Sequence, residues 1–165
     1  MKTLGLVLLA GFAVLIGCAG DGAGSGSERT GQEPGTFPGL DAETERQIMQ
    51  ARFDGHRKAE PNCWACEEGK DTIDSFRIFR YLGAYNGYVV IQFHYANTTV
   101  LWHEKIDGIS FHDSCPPGIT VWKDGVFYTM TELYEQGLLT REDLLTISAI
   151  HEELKEAYFE KLKQE

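Results

Sequence analysis

Three dipeptides constrain the fold more than any other feature of the chain: Asn86-Gly87, Asp107-Gly108 and Asp124-Gly125. Each lies between segments rich in β-branched and aromatic residues. Each suits a two-residue type I′ turn, whose central residues both take positive φ. So short a loop leaves no room for a crossover, so the flanking strands pair antiparallel. Asn97-Thr98 marks a weaker turn, and Asp113-Ser114-Cys115-Pro116-Pro117-Gly118 breaks the run once more. The pattern predicts strands at roughly 75–85, 88–95, 99–106, 109–112, 119–123 and 126–130, joined as one six-stranded antiparallel meander sheet.

Two-residue turns also set the register. They place Tyr85 opposite Tyr88, Leu82 opposite Ile91, Phe93 opposite Trp102, Ile106 opposite Ile109, and His103 opposite His112. Period-2 patterning then gives a core face that includes Ile78, Leu82, Val89, Ile91, Phe93, Tyr95, Val100 and Trp102, interrupted by Arg80 and Glu104. The other face carries His94, His103 and His112 beside Val90, Gln92, Lys105 and Ser110. Three imidazoles on neighbouring strands can ligate zinc or copper. They also suit an ordinary solvated sheet face, or a surface for a ligand or partner. Trp122, Tyr81, Tyr85 and Tyr88 form either an aromatic binding surface or ordinary core.

Helices flank the strands. Asp41 caps a helix reaching about Lys58, with His56 at the edge of its apolar stripe. After the strands, Thr131 caps a short helix, Glu132–Gln136, that stops at Gly137. Thr140, with Asp143 three residues on, caps a longer helix. Leu144, Ile147, Leu154, Tyr158 and Leu162 form its stripe, with His151 at the margin. The expected fold is α+β: an N-terminal helix, a six-stranded meander, and two C-terminal helices packed on its core face.

The amino terminus carries a different signal. Lys2 precedes an apolar run, Leu4 to Ile16, which ends in Leu15-Ile16-Gly17-Cys18-Ala19. The run is short of the roughly 20 residues that span a bilayer. It resembles a bacterial lipoprotein signal with Leu15–Cys18 as the lipobox. The resemblance implies that residues 1–17 are a signal peptide removed before Cys18. It also implies that Cys18 then carries diacylglycerol and a fatty acyl chain such as palmitate. The protein would sit in the bacterial cell envelope, lipid-anchored to the membrane and facing the exterior or periplasm. A plain secretory signal is the alternative. Residues 18–40, rich in glycine and serine, read as a flexible tether, and 41–165 as a single domain.

With Cys18 lipidated, Cys63, Cys66 and Cys115 remain. Cys63-Trp64-Ala65-Cys66 falls in an expected loop, 59–73, without the βαβ unit that a thioredoxin-like site requires. Three states fit these thiols. One is a structural disulfide, most simply Cys115 with one of the pair. The others are free thiols and a metal site completed by a histidine. Tyr81–Gly87, Val121–Tyr128 and Gly137–Leu144 resemble segments of small uncharacterised domains in exported bacterial proteins, which implies the same order of elements and no particular function.

Lysine and arginine number 15 against 25 acidic residues, a formal net charge of −10. That sign argues against nucleic acid and against charge-driven membrane binding, which leaves the lipid anchor to hold the membrane. The chain has no phosphate-binding glycine loop, no G-x-S-x-G and no H-E-x-x-H. His112-Asp113-Ser114-Cys115 is no triad if strand-borne, because adjacent strand residues face opposite ways. The expected role is a non-catalytic envelope binding or interaction domain for an unknown protein or small ligand, needing no cofactor beyond its acyl chains. The alternative is a metal-binding or thiol-based protein, with zinc held by the histidine face or the cysteines.

Overall fold

The computed structural model describes residues 37–62, 64–93, 102–113 and 118–164. The lipobox, most of the tether, His94, Cys63, Cys115 and the 97–98 turn lie outside the described residues. Helix α1 spans Ala42–Ala59, and Asp41 caps it by accepting a 2.8 Å hydrogen bond from the Thr44 amide. A single helical turn, α2 (Trp64–Glu67), and a 3-10 turn (Ile73–Phe76) follow, where a loop and the start of a strand were expected. The strands are β1 (Ile78–Tyr85), β2 (Tyr88–Phe93), β3 (Trp102–Ile106), β4 (Ile109–Asp113), β5 (Thr120–Lys123) and β6 (Val126–Tyr128). Helices α3 (Met130–Glu135) and α4 (Arg141–Leu162) close the chain.

Turn chemistry acts as the sequence predicts. Asn86, Asp107 and Asp124 take φ of 52°, 47° and 49°, and the glycine after each is also positive. These are type I′ turns, whose twist matches that of the strands they join. Thr140 and Asp143 cap α4 reciprocally. The cap of α3 is displaced from the expected Thr131 to Thr129, which pairs with Glu132 in a capping box. Glu132 N–H bonds Thr129 Oγ1, while the Thr129 amide donates to the Glu132 carboxylate at 2.7 Å. Two orphan donors are satisfied at once, which favours the earlier start.

The α+β class holds, but the single meander does not. The strands form two antiparallel sheets: a four-stranded sheet in the order β1-β2-β5-β6, and the separate hairpin β3-β4. β2 takes β5 as its second neighbour, so Phe93 does not face Trp102. Tyr85–Tyr88, Ile106–Ile109 and His103–His112 pair as the turns dictate. Leu82 does not face Ile91; Tyr81 does. The cause is a register shift in β1 between Tyr81 and Gly83, and a second shift lies between Ile78 and Arg80. Each extra residue turns the following side chain to the opposite face.

Those bulges also overturn the one-sided core. β2 is buried on both faces. Val89, Ile91, Phe93, Ile78 and Trp122 pack with Ile48 of α1 and Leu40. Val90, Leu82 and Val121 pack on the other side with Phe111 of the hairpin and with Leu133, Leu144 and Ile147 of the C-terminal helices. The helices therefore cover the face expected to be polar, and α1 covers the face assigned to them. Phe37 and Leu40, counted with the tether in the sequence, pack against the α1 side, and Tyr81 Oη donates to the Gly39 carbonyl at 3.2 Å. No helix among the described residues is long and apolar enough to cross a membrane.

Phe111 is fully buried and joins the hairpin to the sheet. Phe111→Ala should cost about 3–5 kcal/mol, read as a fall in the urea midpoint. Val126→Ala, at a half-exposed position in edge strand β6, should change stability by less than about 0.5 kcal/mol.

Candidate functional site

The strongest concentration of polar chemistry among the described residues is inside the domain. Arg80 and Asp113 are each 4% exposed, and His151 and Gln92 are fully buried. Arg80 comes from β1, Gln92 from β2, Asp113 from the end of β4, and His151 from α4. The first bulge of β1 makes the meeting possible: it pairs Ile78 with Phe93 on the α1 side and Arg80 with Gln92 on the other. Arg80 Nη1 then donates to Asp113 Oδ2 at 2.5 Å and to Gln92 Oε1 at 3.1 Å. The guanidinium also lies over Phe79, 4.7 Å from the ring centroid, and 5.9 Å from that of Tyr158.

His151 stands beside this pair. Its Nε2 is 3.3 Å from Asp113 Oδ2, and its Nδ1 is 3.4 Å from Glu152 Oε1. Neither approach closes into a hydrogen bond, and both ring nitrogens are buried without one among the described residues. The rings of Trp102 and Phe111 flank the imidazole edge-on, each with its centroid 6.5 Å away. At the rim, Lys155 bonds Glu152 at 2.7 Å and lies 3.4 Å from His112 Nε2. Partial burial pushes the Glu152 carboxyl up, but the Lys155 hydrogen bond and charge, with His151 and His112, bring it below its ordinary value.

An aspartate, a histidine and an arginine in contact resemble the components of acid–base chemistry. Here they are turned on one another. A general acid or base must come within hydrogen-bond reach of its substrate. Burial of Arg80, Asp113 and His151 gives them no open side among the described residues. The Arg80–Asp113 pair serves as an internal ionic clamp joining the four-stranded sheet to the hairpin, with His151 of α4 packed beside it.

The residues singled out in the sequence are distributed as follows. His103 and His112 are cross-strand neighbours and both exposed, on the hairpin face that does not contribute to the core. The Lys155 ammonium stands beside His112, where a cation would meet repulsion. The four aromatics do not share a surface. Trp122 is buried and Tyr81 packs with it on the α1 side, while Tyr85 and Tyr88 pack on the C-terminal helix side. Cys66 is disulfide-bonded, and the other cysteines of the chain lie outside the described residues. His56 and Asp71 lie close to it.

Arg80, Gln92, Asp113 and His151 do not stand out as a set in the sequence. Two signals point toward them. Arg80 interrupts an apolar strand, and His151 falls on the apolar stripe of α4. Each marks a polar group that must find an internal partner, without naming the partner. Compared with protein-family models, with curated proteins and with solved structures, the chain finds no match.

Asp113→Ala would leave the Arg80 guanidinium buried without its carboxylate and should cost about 3–5 kcal/mol in urea unfolding. Arg80→Met combined with Asp113→Leu should recover most of that loss, because neither charge then needs desolvation. The lowered Glu152 contributes stability that is present above the ordinary carboxylate pKa and lost as pH falls through the folded value. Glu152→Gln should therefore flatten the loss of thermal stability below about pH 4.

Proposed function

We propose that this protein is a lipid-anchored component of the bacterial cell envelope. Its α+β domain would be a non-catalytic module that binds an envelope protein or a small ligand. Leu15-Ile16-Gly17-Cys18 supports the anchor, and the glycine- and serine-rich stretch after it supports a tether that stands the domain off the membrane. The observation that carries the non-catalytic reading is the closure of the Arg80–Asp113–His151 cluster. Of the groups best suited to acid–base chemistry, Arg80 and Asp113 are engaged with each other and His151 is buried beside them. The acidic balance of the chain favours a partner other than nucleic acid.

A second reading, a thiol-based or metal-binding protein, is favoured by the Cys66 disulfide and its two ligand-type neighbours, His56 and Asp71. The histidine-face version of it predicts stoichiometric zinc in protein purified without chelator, lost when His103 and His112 are both replaced by alanine.

The anchor is tested by expressing the full chain in a bacterium and fractionating membranes. The wild type should pellet with membranes, and its mature amino terminus should have the mass of acylated Cys18. Cys18→Ala should shift it to the soluble fraction or leave the leader uncleaved. Soluble wild-type protein with an unmodified Cys18 would refute the anchor.

A further inference from the structure

We propose that His56, Cys66 and Asp71 form a zinc site available only when the Cys66 disulfide is reduced. The site deepens the thiol-based reading and is independent of the lipid anchor. One imidazole nitrogen, one sulfur and one carboxylate oxygen lie within 4.8 Å of one another. All three residues are partly buried. His56 Nε2 is 4.0 Å from Asp71 Oδ2. Zinc bonds of about 2.0–2.3 Å place tetrahedral ligands roughly 3.3–3.7 Å apart, so closing the site needs only about 1 Å of side-chain movement. Nitrogen, sulfur and oxygen donors together suit a borderline-soft divalent cation and leave a fourth position for water or another donor.

The surrounding chain holds these groups in place. His56 lies in the last turn of α1, where the carbonyl end of the helix favours a cation. Its ring packs on Phe76 at 5.1 Å, and Phe76 packs on Phe53 at 5.8 Å. After α2 the backbone folds back on itself. The Gly69 amide donates to the Cys66 carbonyl at 3.3 Å, and the Lys70 and Asp71 amides both donate to the Ala65 carbonyl, at 2.8 and 3.0 Å. These bonds return Asp71 to Cys66 across a turn that Gly69 makes at φ 69°.

Sulfur in a disulfide carries no charge and is a poor ligand, whereas a thiolate binds zinc strongly. A dithiol reductant supplies two electrons and two protons to the disulfide, giving two thiols, and is itself oxidised to a disulfide. The Cys66 thiol then loses its proton as it binds zinc. Because zinc binds only the reduced form, it shifts the thiol–disulfide balance toward reduction. The region thus has two alternative closures, one covalent and one metal-based.

The test uses the full chain in detergent micelles. A water-soluble phosphine is the reductant, since it becomes the phosphine oxide with an oxygen from water and leaves no competing thiol. Cobalt(II) is the probe. The reduced chain should bind one cobalt with a near-ultraviolet thiolate-to-metal charge-transfer band that zinc abolishes, and the oxidised chain should show none. His56→Ala and Asp71→Asn should each weaken binding about tenfold or more, with the circular dichroism of the oxidised forms unchanged. A band unaltered in both variants would overturn this ligand set and leave the thiol reading standing. No band in the reduced wild type, with a pair of new thiols titrating, would overturn the zinc site alone. No new thiols on reduction would overturn the site and the thiol reading together.

Discussion

The ion pair between Arg80 and Asp113 is the constraint on which the tertiary structure turns. Removing two charges from water costs several kcal/mol per ion, and mutual attraction offsets this only with good geometry and further hydrogen bonds. Arg80 has both: a 2.5 Å contact from Nη1 to Asp113 and a hydrogen bond from the same nitrogen to Gln92. Phe79 and Tyr158 complete its surroundings. The pair ties β1 to the end of β4, and His151 brings α4 to the same carboxylate. A slip of β1 by one residue would carry the guanidinium toward the apolar α1 side, without its carboxylate. The pair thereby acts against wrong registers as much as it stabilises the right one.

This clamp explains the departures from a regular meander. An unbulged β1 would put Ile78, Arg80 and Leu82 on one face. In the bulged strand Ile78 joins the α1 side, while Arg80 and Leu82 join the side of the hairpin and α4. The sheet can then be covered on both sides, with α1 on one and the β3-β4 hairpin and C-terminal helices on the other. β2 and β5, in the middle of the order, carry apolar residues toward both layers. Residues 89–91, Val-Val-Ile, are the trace of this double burial, because a strand covered on both faces loses its alternation.

How much of this was legible follows from the range of each interaction. Asn86, Asp107 and Asp124 announce their turns because positive φ is a property of the dipeptide itself. Asp41 and Thr140 announce helix starts because a cap closes within three residues. The partner of β2 is not legible in the sequence because β5 competes with β3, and the choice depends on packing some thirty residues away in the chain. His151 was visible as a polar residue on an apolar stripe, yet its burial depended on Asp113, which arrives from another layer. The cysteine cluster was half visible. Cys66 stood out by spacing, whereas His56 and Asp71 are near it only because α1 ends where the α2 turn folds back.

The sequence by itself determined the three Asx-Gly turns, the major helices and the hairpins those turns close, since each closes through a few neighbouring residues. The proposed anchor at Cys18 also rests on a local pattern, one that a processing enzyme would read directly from the chain. Tertiary structure alone decided that the strands divide into two sheets, that both faces of the larger one are covered, and that Arg80, Asp113 and His151 converge. Those outcomes arise from a competition: apolar surface must be removed from water on both faces while no buried charge is left without a counter-charge. Such a balance is struck between segments far apart in the chain, and no short stretch of residues records it.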